Sequence, residues 1–262
     1  MSNSERHRKT PEEGSETAKS GFKNEVFVKN TFNEWKQNDL AKKWLIQMGY
    51  NLDSIKSVKA SLGREINQGT GKADVIVIID DKPQGISIKK FQASFNQIDK
   101  RWADSYVPLW NIPKNVLIIL KKYSGEEGFQ PKDLLNDKEV KKLKDRRRFH
   151  INELDPKEQE LVLSFFKYNL NQIITDLLKG RGTSVADWLL VIKYNNGNVG
   201  DSKIISINEA IRHYSSGEVM ITKQGNIKIG KITLQRKGGD GGRKTAQMLQ
   251  FKFSPREILD FC

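Results

Sequence analysis

The sequence predicts an α/β protein in which helices flank a central mixed β-sheet and a β-rich part follows toward the C-terminus. Three patterns support this prediction. Apolar residues recur at helical spacing from about residue 17, β-branched runs follow from Asp74, and the final third alternates between apolar and polar residues as strands do. Residues 1–16 are polar and charged, which is typical of a disordered tail.

The first half of the folded part is predicted to mix helices and strands. Phe22, Val26 and Trp35 belong to an apolar series at three- and four-residue spacing, which predicts a helix, whereas the run from Asp74 to Ile79 is rich in β-branched residues. The strand at 115–120 is expected beside the hairpin in a mixed sheet. The predicted elements, in chain order, are helices at about 17–35 and 40–48, strands at 74–79 and 86–89 around a turn at 80–85, a helix near 95–102, and that strand at 115–120.

The second half is predicted to begin with one long helix over 158–178, which ends at Gly180. Alternating residues then predict short strands, and the glycines of 238–242 predict a tight turn between the last two. These strands are expected at 188–193, 218–221, 226–234 and 248–253.

Charge and composition narrow the class of partner. Lys and Arg number 45 against 32 acidic residues, a formal charge of +13, which favours a polyanion such as nucleic acid. A generally basic surface without a specific partner is the alternative. The lone cysteine, Cys262, and three dispersed histidines exclude a disulfide framework and argue against zinc. No apolar run reaches the roughly 20 residues that span a bilayer, so we expect a soluble intracellular protein.

The hairpin over 74–89 could carry chemistry. Asp74, Ser87 and Lys89 share one face if the numbers of paired residues sum to an odd value. A carboxylate that holds a divalent cation beside a lysine that stabilises a phosphorane-like transition state suits a metal-dependent phosphodiesterase. The pattern is D-x(n)-[DE]-x-K, with Ala73 where proline is common and Ser87 where an acid is usual. The alternative is a turn-capping aspartate beside a solvated lysine.

Two further segments suit contact with DNA. The first, residues 95–102, offers base-edge donors and acceptors in Asn96, Gln97 and Lys100 and an aromatic wedge in Phe95. Its alternative is an amphipathic helix that packs in the core. The second, residues 235–245, combines glycines with charged and amide groups that could hold phosphates or read guanine, and its alternative is a basic hairpin loop. Its candidate residues are Gln235, Arg236, Lys237, Asp240, Arg243 and Lys244.

These residues lie within blocks that resemble one known family. The sequence is similar to the HinP-type restriction endonucleases, which recognise GCGC and belong to the PD-(D/E)xK nuclease superfamily. The resemblance rests on five ordered blocks: TAKSGFKNE (17–25), NLDSIKSVKA (51–60), FNQIDKRW (95–102), the KGRG and ADWLLV pair (179–191), and QRKGGDGGRKTAQMLQFK (235–252).

The resemblance implies a role for each candidate residue. Asp74 and Lys89 take the catalytic Asp and Lys positions, and Ser87 takes the intervening position, which is glutamine in similar enzymes. Glu25 matches a helical glutamate near the metal, and the implied Mg²⁺ ligands are Asp74, Ser87 and Ile88. Phe95 would insert into the base stack, while Gln97 and Lys100 would read bases.

The resulting hypothesis is a type II restriction endonuclease that hydrolyses both strands of double-stranded DNA with Mg²⁺ and leaves a 5′-phosphate. A non-catalytic DNA-binding protein whose site decayed at Ser87 is the alternative, and an RNA-binding protein is a third reading. We expect a single nuclease domain over 17–262, with a catalytic core at about 17–125 and a DNA-contacting part at about 180–262. A bacterial cytoplasmic enzyme with a separate cognate methyltransferase is also expected, and homodimerisation stays open.

Overall fold

The structure is a computed structural model of the chain. It describes residues 11–67, 71–91, 95–126, 128, 148–195, 198–237 and 244–260, and for 11–20 and 67 it describes the backbone alone. The helices are α1 (Pro11–Asn33), α2 (Asp39–Gln47), α3 (Gly63–Asn67), α4 (Ala103–Trp110), α5 (Lys114–Ser124), α6 (Pro156–Tyr168), α7 (Leu170–Lys179), α8 (Ile207–Ser215) and α9 (Arg256–Leu259). The strands are β1 (Val58–Leu62), β2 (Val75–Ile79), β3 (Lys82–Lys90), β4 (Asn96–Arg101), β5 (Trp188–Asn195), β6 (Asn198–Ser206), β7 (Val219–Ile221), β8 (Ile227–Ile229), β9 (Ile232–Arg236) and β10 (Leu249–Phe253).

The chain divides into two compact units that are not continuous in sequence. The first unit comprises residues 1–92, 179–208 and 256–262, and the second comprises 93–178 and 209–255. These boundaries differ from the contiguous core and C-terminal part that the sequence predicts. Among the described helices, none has the length and apolar character that crossing a membrane requires.

The first unit contains the predicted mixed sheet, in the order β1-β2-β3-β5-β6. Strands β3 and β5 are parallel, whereas the other neighbours are antiparallel. One face of β2, formed by Val75, Val77 and Ile79, is fully buried in a cluster that includes Phe32 of α1 and Trp44 of α2. The indole of Trp44 also donates a hydrogen bond of 2.9 Å to Ser202 on β6, so helix α2 is fastened to the edge of the sheet.

A two-residue turn fixes the register of β2 and β3. Asp80 and Asp81 have φ values of 47° and 67°, the left-handed conformation that favours tight hairpins. The Asp80 carboxylate accepts backbone N–H bonds of 2.9 Å from both Lys56 and Ser57. Pairing runs from Val75 with Ile86 to Ile79 with Lys82, so the second strand starts earlier than the predicted turn at 80–85 allows.

Glycine at position 85 lets β3 lie close to the segment that leads into β5. Its N–H donates to the Asp187 carboxylate at 2.8 Å, and its carbonyl accepts from the Asp187 N–H at 2.7 Å. A Cβ at this position would lie 2.1 Å from the Val185 carbonyl oxygen. The parallel pairing of β3 with β5 therefore begins at a site that excludes any side chain.

The second unit contains an antiparallel sheet in the order β4-β10-β9-β8-β7. Its inner face is apolar: Phe251 and Leu234 are fully buried. Tyr106 and Trp110 of α4 stack with ring centroids 4.4 Å apart, and each ring meets Phe251 edge-on at 5.4 Å. This aromatic cluster packs α4 against the sheet at Phe251 of β10.

The predicted helix at 95–102 is wrong, because these residues form strand β4. The three- and four-residue spacing of Phe95, Ile98 and Trp102 is compatible with a helix, but pairing with β10 overrides it. The ladder shifts register between Phe251 and Lys252, where β4 carries an extra residue. Gln97 and Lys100 therefore project from a strand.

The predicted strand at 115–120 is also wrong, because these residues belong to helix α5. Val116, Ile119, Leu120 and Tyr123 are buried at three- and four-residue spacing, which matches one face of a helix. The helix ends at Gly125, whose φ of 77° is the left-handed conformation that commonly follows a helix. The neighbour of the hairpin is β5, a strand much later in the chain.

Other boundaries differ from the sequence predictions. Helix α1 begins at Pro11, within the predicted tail, and residues 158–178 form two helices that separate at Asn169. Strands β1 and β6 and helix α8 were not predicted, because each has too short or too mixed an apolar pattern to stand out locally. The strands predicted at 74–79, 188–193, 218–221 and 248–253 are confirmed within a residue or two at each end. The single strand predicted at 226–234 is wrong, because the chain turns at Gly230 and forms the separate strands β8 and β9.

We predict that Gly85→Ala lowers the free energy of unfolding by about 1–3 kcal/mol, since the added methyl group forces β3 away from Val185. Gly21→Ala is the matched control: Gly21 lies within α1, and a methyl group added there would have no other atom within 4 Å, so about 0.5–1 kcal/mol of stabilisation is expected. Urea denaturation of both variants measures the difference. Equal stability of Gly85→Ala and the parent would show that the two segments separate at little energetic cost.

Candidate active site and nucleic-acid interface

Asp74 lies at the start of β2, where its carboxylate bridges to β3. Its Oδ2 accepts the backbone N–H of Ile88 at 2.6 Å and the hydroxyl of Ser87 at 3.3 Å. Its own N–H donates to the Ile86 carbonyl at 2.8 Å, which continues the strand ladder. The carboxylate is therefore held by backbone geometry, and its side chain remains 32% exposed.

Lys89 completes this cluster on the same face. Its ammonium nitrogen lies 3.8 Å from Asp74 Oδ2 and donates a hydrogen bond of 3.1 Å to the Ile88 carbonyl oxygen. The lysine side chain is 18% exposed, so it is less solvated than the aspartate. The predicted meeting of Asp74, Ser87 and Lys89 on one face of the hairpin is thus seen in the structure.

Ser87 lies beneath the carboxylate. It is 2% exposed, and its hydroxyl points at Asp74 Oδ2. This contact orients the aspartate, whereas burial leaves the hydroxyl little room for water or a ligand on its other side. The structure therefore supports a positioning role for Ser87, and its role as a metal ligand stays a prediction.

Glu25 of α1 belongs to the same electrostatic neighbourhood. Burial raises the pKa of its carboxyl above the ordinary value, and the negative charge of Asp74 raises it further. Arg64, 3.4 Å from the Glu25 carboxylate, and Lys89 both lower that pKa in part. Two carboxylates that repel each other at one end of a sheet form a place where a cation is favoured.

The donor set suits a hard divalent cation. Asp74 supplies a carboxylate, Ile88 a backbone carbonyl and Glu25 a second carboxylate nearby, and Mg²⁺ prefers oxygen ligands. The Lys89 ammonium already lies against the Asp74 carboxylate and the Ile88 carbonyl, so both oxygens face a common position that accepts positive charge. In the described part of the chain, no three His, Cys, Asp or Glu side chains cluster as a metal site.

The second unit carries the predicted DNA-contacting residues of the FNQIDKRW segment. Phe95, immediately before β4, is 53% exposed, which is unusual for a phenylalanine at the start of a paired strand. Asn96 pairs with Phe253 and Gln97 with Lys252 on the neighbouring strand β10. Lys100 pairs with Gln250, which in turn pairs with Gln235 on β9.

Arg236 is directed into the second unit. One guanidinium nitrogen donates to the carbonyls of Arg148 and Phe149 at 2.9 and 3.3 Å, and the other lies 2.9 Å from the His150 ring. The group also lies 5.7 Å from the centre of the Tyr123 ring. These contacts use the planar face and the forked donors that guanine recognition requires, which argues against the predicted base contact.

The ends of the glycine-rich segment are held by Arg148. Its guanidinium donates to the Lys237 carbonyl at 2.8 Å and the Ala246 carbonyl at 2.9 Å. The Lys237 N–H donates to the Met248 carbonyl at 3.0 Å, and exposed Lys244 begins a short 3₁₀ turn. The candidates Asp240 and Arg243 lie outside the described residues.

The sequence predictions missed four residues at these sites. Arg64 and Arg148 escaped because their partners, Glu25 and the ends of the glycine-rich segment, are distant along the chain. Gln250 and Lys252 left a signal, since they alternate with Leu249, Phe251 and Phe253 on β10. Strict alternation alone would have placed them on the polar face of that strand.

Comparison with known proteins decides the family. A family model described as R.HinP1I restriction endonuclease matches residues 48–259. The chain belongs to the R.HinP1I restriction endonuclease family. A crystal structure of restriction endonuclease MspI in complex with its cognate DNA is similar in fold, with a TM-score of 0.54 and 14% identity, and the alignment covers 82% of this chain and 77% of that one. No curated protein is significantly similar to the chain.

Membership of the R.HinP1I family makes the chain a type II site-specific deoxyribonuclease and sets aside the non-catalytic reading. The likeness to MspI supports the predicted α/β fold with its mixed sheet and flanking helices. The Asp74, Ile88 and Lys89 cluster is the part of the first unit whose chemistry suits such an enzyme.

We predict that Arg236→Ala lowers the free energy of unfolding by about 2 kcal/mol, because it removes a charged donor from several acceptors, and leaves base preference unchanged. Lys228→Ala, at an exposed position of β8, is the control and should change stability by less than about 0.5 kcal/mol. Urea denaturation and cleavage of single-base site variants measure both properties. A stable Arg236→Ala enzyme with relaxed specificity would place this arginine at a base edge after all.

Proposed function

We propose that this restriction endonuclease hydrolyses double-stranded DNA at GCGC with Mg²⁺ as cofactor. The observation that carries the chemistry is the Asp74 carboxylate, fixed by the Ile88 N–H at 2.6 Å with the Lys89 ammonium beside it. The proposed recognition sequence rests on the family and on the five blocks of resemblance.

Asp74 and the Ile88 carbonyl would hold the metal, and Glu25 would lie near it. A bound Mg²⁺ supplies polarisation of the scissile phosphate and favours ionisation of water at neutral pH. The residues of the chain do the rest. The ammonium of Lys89 orients the attacking water or stabilises the charge that develops on the phosphoryl oxygens. Attack on phosphorus breaks the bond to the 3′ oxygen, which leaves with a proton as a 3′-hydroxyl and leaves a 5′-phosphate.

The second unit would contact the DNA. In this proposal Phe95 enters the base stack from its exposed position, and Gln97, Lys100 and Gln235 face base edges. Alternation along β4 places Asn96 on the opposite face from Gln97, so its predicted base contact is not part of the proposal. Lys237 and Lys244, beside the glycine-rich segment, would hold backbone phosphates. The DNA contacts predicted for Asp240 and Arg243 fall outside the described residues.

The proposal extends to the cellular setting. A bacterial cytoplasmic location and a separate methyltransferase that protects the same site fit a restriction-modification system, and no stable complex between the two enzymes is expected. A homodimer would match a two-fold symmetric site such as GCGC. The state of assembly decides whether both strands are cut in one binding event.

Digestion of a plasmid with mapped GCGC sites tests the proposed function. Fragments should appear with Mg²⁺ and not with EDTA, and sequencing of the ends should place every cut at GCGC with a 5′-phosphate. Cutting at another sequence would reject the proposed site while leaving the nuclease assignment intact. Cutting that persists in EDTA would reject the proposed requirement for a divalent metal ion.

Asp74→Ala and Lys89→Ala should each lower the cleavage rate at least about 10²-fold, because one removes the metal anchor and the other a donor that acts in the transition state. Binding measured without divalent cations should largely survive. Asp53→Ala and Lys59→Ala, both exposed in the first unit, are matched controls that should cut at the parental rate. Parental cleavage by either site variant would remove that residue from the mechanism.

Mg²⁺ should bind weakly to the free protein, because Ser87 is neutral and buried where a second carboxylate ligand is usual. Addition of the cognate duplex to the slowly cleaving Lys89→Ala variant should tighten binding, since an oxygen of the scissile phosphate completes the coordination. Isothermal titration calorimetry with and without the duplex measures this. Tight binding by the free protein that Glu25→Gln abolishes would show that Glu25 is already a ligand.

A further inference from the structure

The outer face of the second sheet carries polar side chains in regular cross-strand rows. On β10, Gln250 and Lys252 are half-exposed, whereas Leu249, Phe251 and Phe253 between and beside them are buried. The register places two cross-strand rows on this outer face. One row is Gln97, Lys252 and Thr233, and the other is Lys100, Gln250 and Gln235. The face thus combines amides and lysines without a carboxylate in either row.

Two of these amides are joined. The Gln250 side-chain nitrogen donates a hydrogen bond of 2.5 Å to the Gln97 side-chain oxygen across β4 and β10. This bond leaves the Gln97 amide nitrogen as a donor and the Gln250 carbonyl oxygen as an acceptor. Reversing both amides exchanges their roles but still leaves one nitrogen and one oxygen side by side. The pair therefore presents a donor next to an acceptor whichever way the amides are oriented.

The flanking lysines determine which base pair suits this arrangement. A G·C pair presents two acceptors, N7 and O6, followed by the donor N4 in the major groove, whereas an A·T pair presents an acceptor, a donor and an acceptor. Lys100 is directly opposite Gln250, and Lys252 is directly opposite Gln97. Lysine offers only donors, so a lysine, the amide donor and the amide acceptor in that order complement N7, O6 and N4 of a G·C pair. Against an A·T pair the same order would place the amide donor opposite another donor, adenine N6.

The position of the pair permits access to DNA. Strand β4 is at the edge of its sheet, and β10 is its neighbour. The major groove is about 12 Å wide and admits a two-stranded ribbon, whose strands lie about 4.8 Å apart. Gln97 is solvent-exposed and Phe95, two residues before it, is also exposed, so the edge of this ribbon is open to a large partner.

We propose that Gln97 and Gln250 act as one amide pair that reads a single G·C base pair in the major groove, with Lys100 and Lys252 supplying flanking donors. The inference rests on the proposed function and adds to it a specificity residue, Gln250, and a unit of recognition. Replacing either amide should also change the hydrogen-bonding groups that the other offers to DNA, because the bond between them sets the orientation of both side chains.

Gln97→Met and Gln250→Met test the pair, because methionine keeps the length of the side chain and removes its hydrogen bonds. Binding by the full-length protein is measured by fluorescence anisotropy without divalent cations. The duplexes are the GCGC site and every variant with one G·C pair changed to A·T. Each substitution should weaken cognate binding about 10- to 100-fold and erase discrimination at the same single base pair and its symmetry mate. The double variant should bind about as well as either single variant, because the two amides form one unit.

Gln172→Met, at an exposed position of α7, is the control and should bind every duplex as the parent does. Thermal unfolding checks that Gln250→Met is folded. If Gln250→Met is unfolded, Gln97→Met still tests the pair, because Gln97 is exposed on the edge strand β4. Equal weakening on all duplexes would overturn the proposal, as would loss of discrimination at different base pairs in the two variants. If the parent protein does not distinguish GCGC from the altered duplexes, the proposed recognition site itself is wrong. If the parent distinguishes them and both methionine variants do so equally well, only the amide pair is wrong.

Discussion

Lys89 reaches Asp74 because strands β2 and β3 pair in one register. Side chains alternate between the faces of a strand, so a slip of one residue would turn Ser87 and Lys89 toward the apolar core. The Asp80–Asp81 turn, with both φ values positive, and the N–H groups that bind the Asp80 carboxylate fix that register at one end. At the other end the Ile88 N–H binds Asp74 directly. The geometry of the candidate active site is thus a property of the hairpin and needs no loop to adopt a particular shape.

The predictable part of the structure is the part that local alternation determines. The β-branched run after Asp74 predicts strand β2, and Asp74, Ser87 and Lys89 come together if the hairpin has the right parity. The observed register, with Val75 opposite Ile86, meets that condition. Residues 95–102 and 115–120 were assigned the wrong elements because short apolar patterns suit helix and strand equally. Pairing with β10 made the first segment a strand, whereas burial of one helical face made the second a helix. Arg236 illustrates a second limit. A basic residue beside glycines resembles a DNA contact, but its acceptors lie 86 to 88 residues away at Arg148, Phe149 and His150.

The two compact units carry different kinds of chemistry. The first holds the carboxylates, the lysine and the backbone carbonyl, where charges are partly buried and their mutual effects are strong. The second presents amides and lysines on an ordered sheet face, where hydrogen-bonding direction matters more than net charge. The overall excess of +13 contributes attraction to DNA of any sequence, so discrimination between sequences has to come from such directed groups.

The interleaving of the units bears on how the protein is made. The ribosome delivers the β2–β3 hairpin early, but β3 lacks its parallel neighbour β5 until residues 188–195 have emerged, and α9 of the same unit comes at 256–259. Most of the second unit, from residue 93 onward, is synthesised in between. The first sheet can be complete once β6 has emerged at residue 206, before strands β7 to β10 of the second sheet have been made. Strand β4 thus has to wait for its sheet neighbour β10 at residues 249–253, so the second unit can finish folding only when almost the whole chain has left the ribosome.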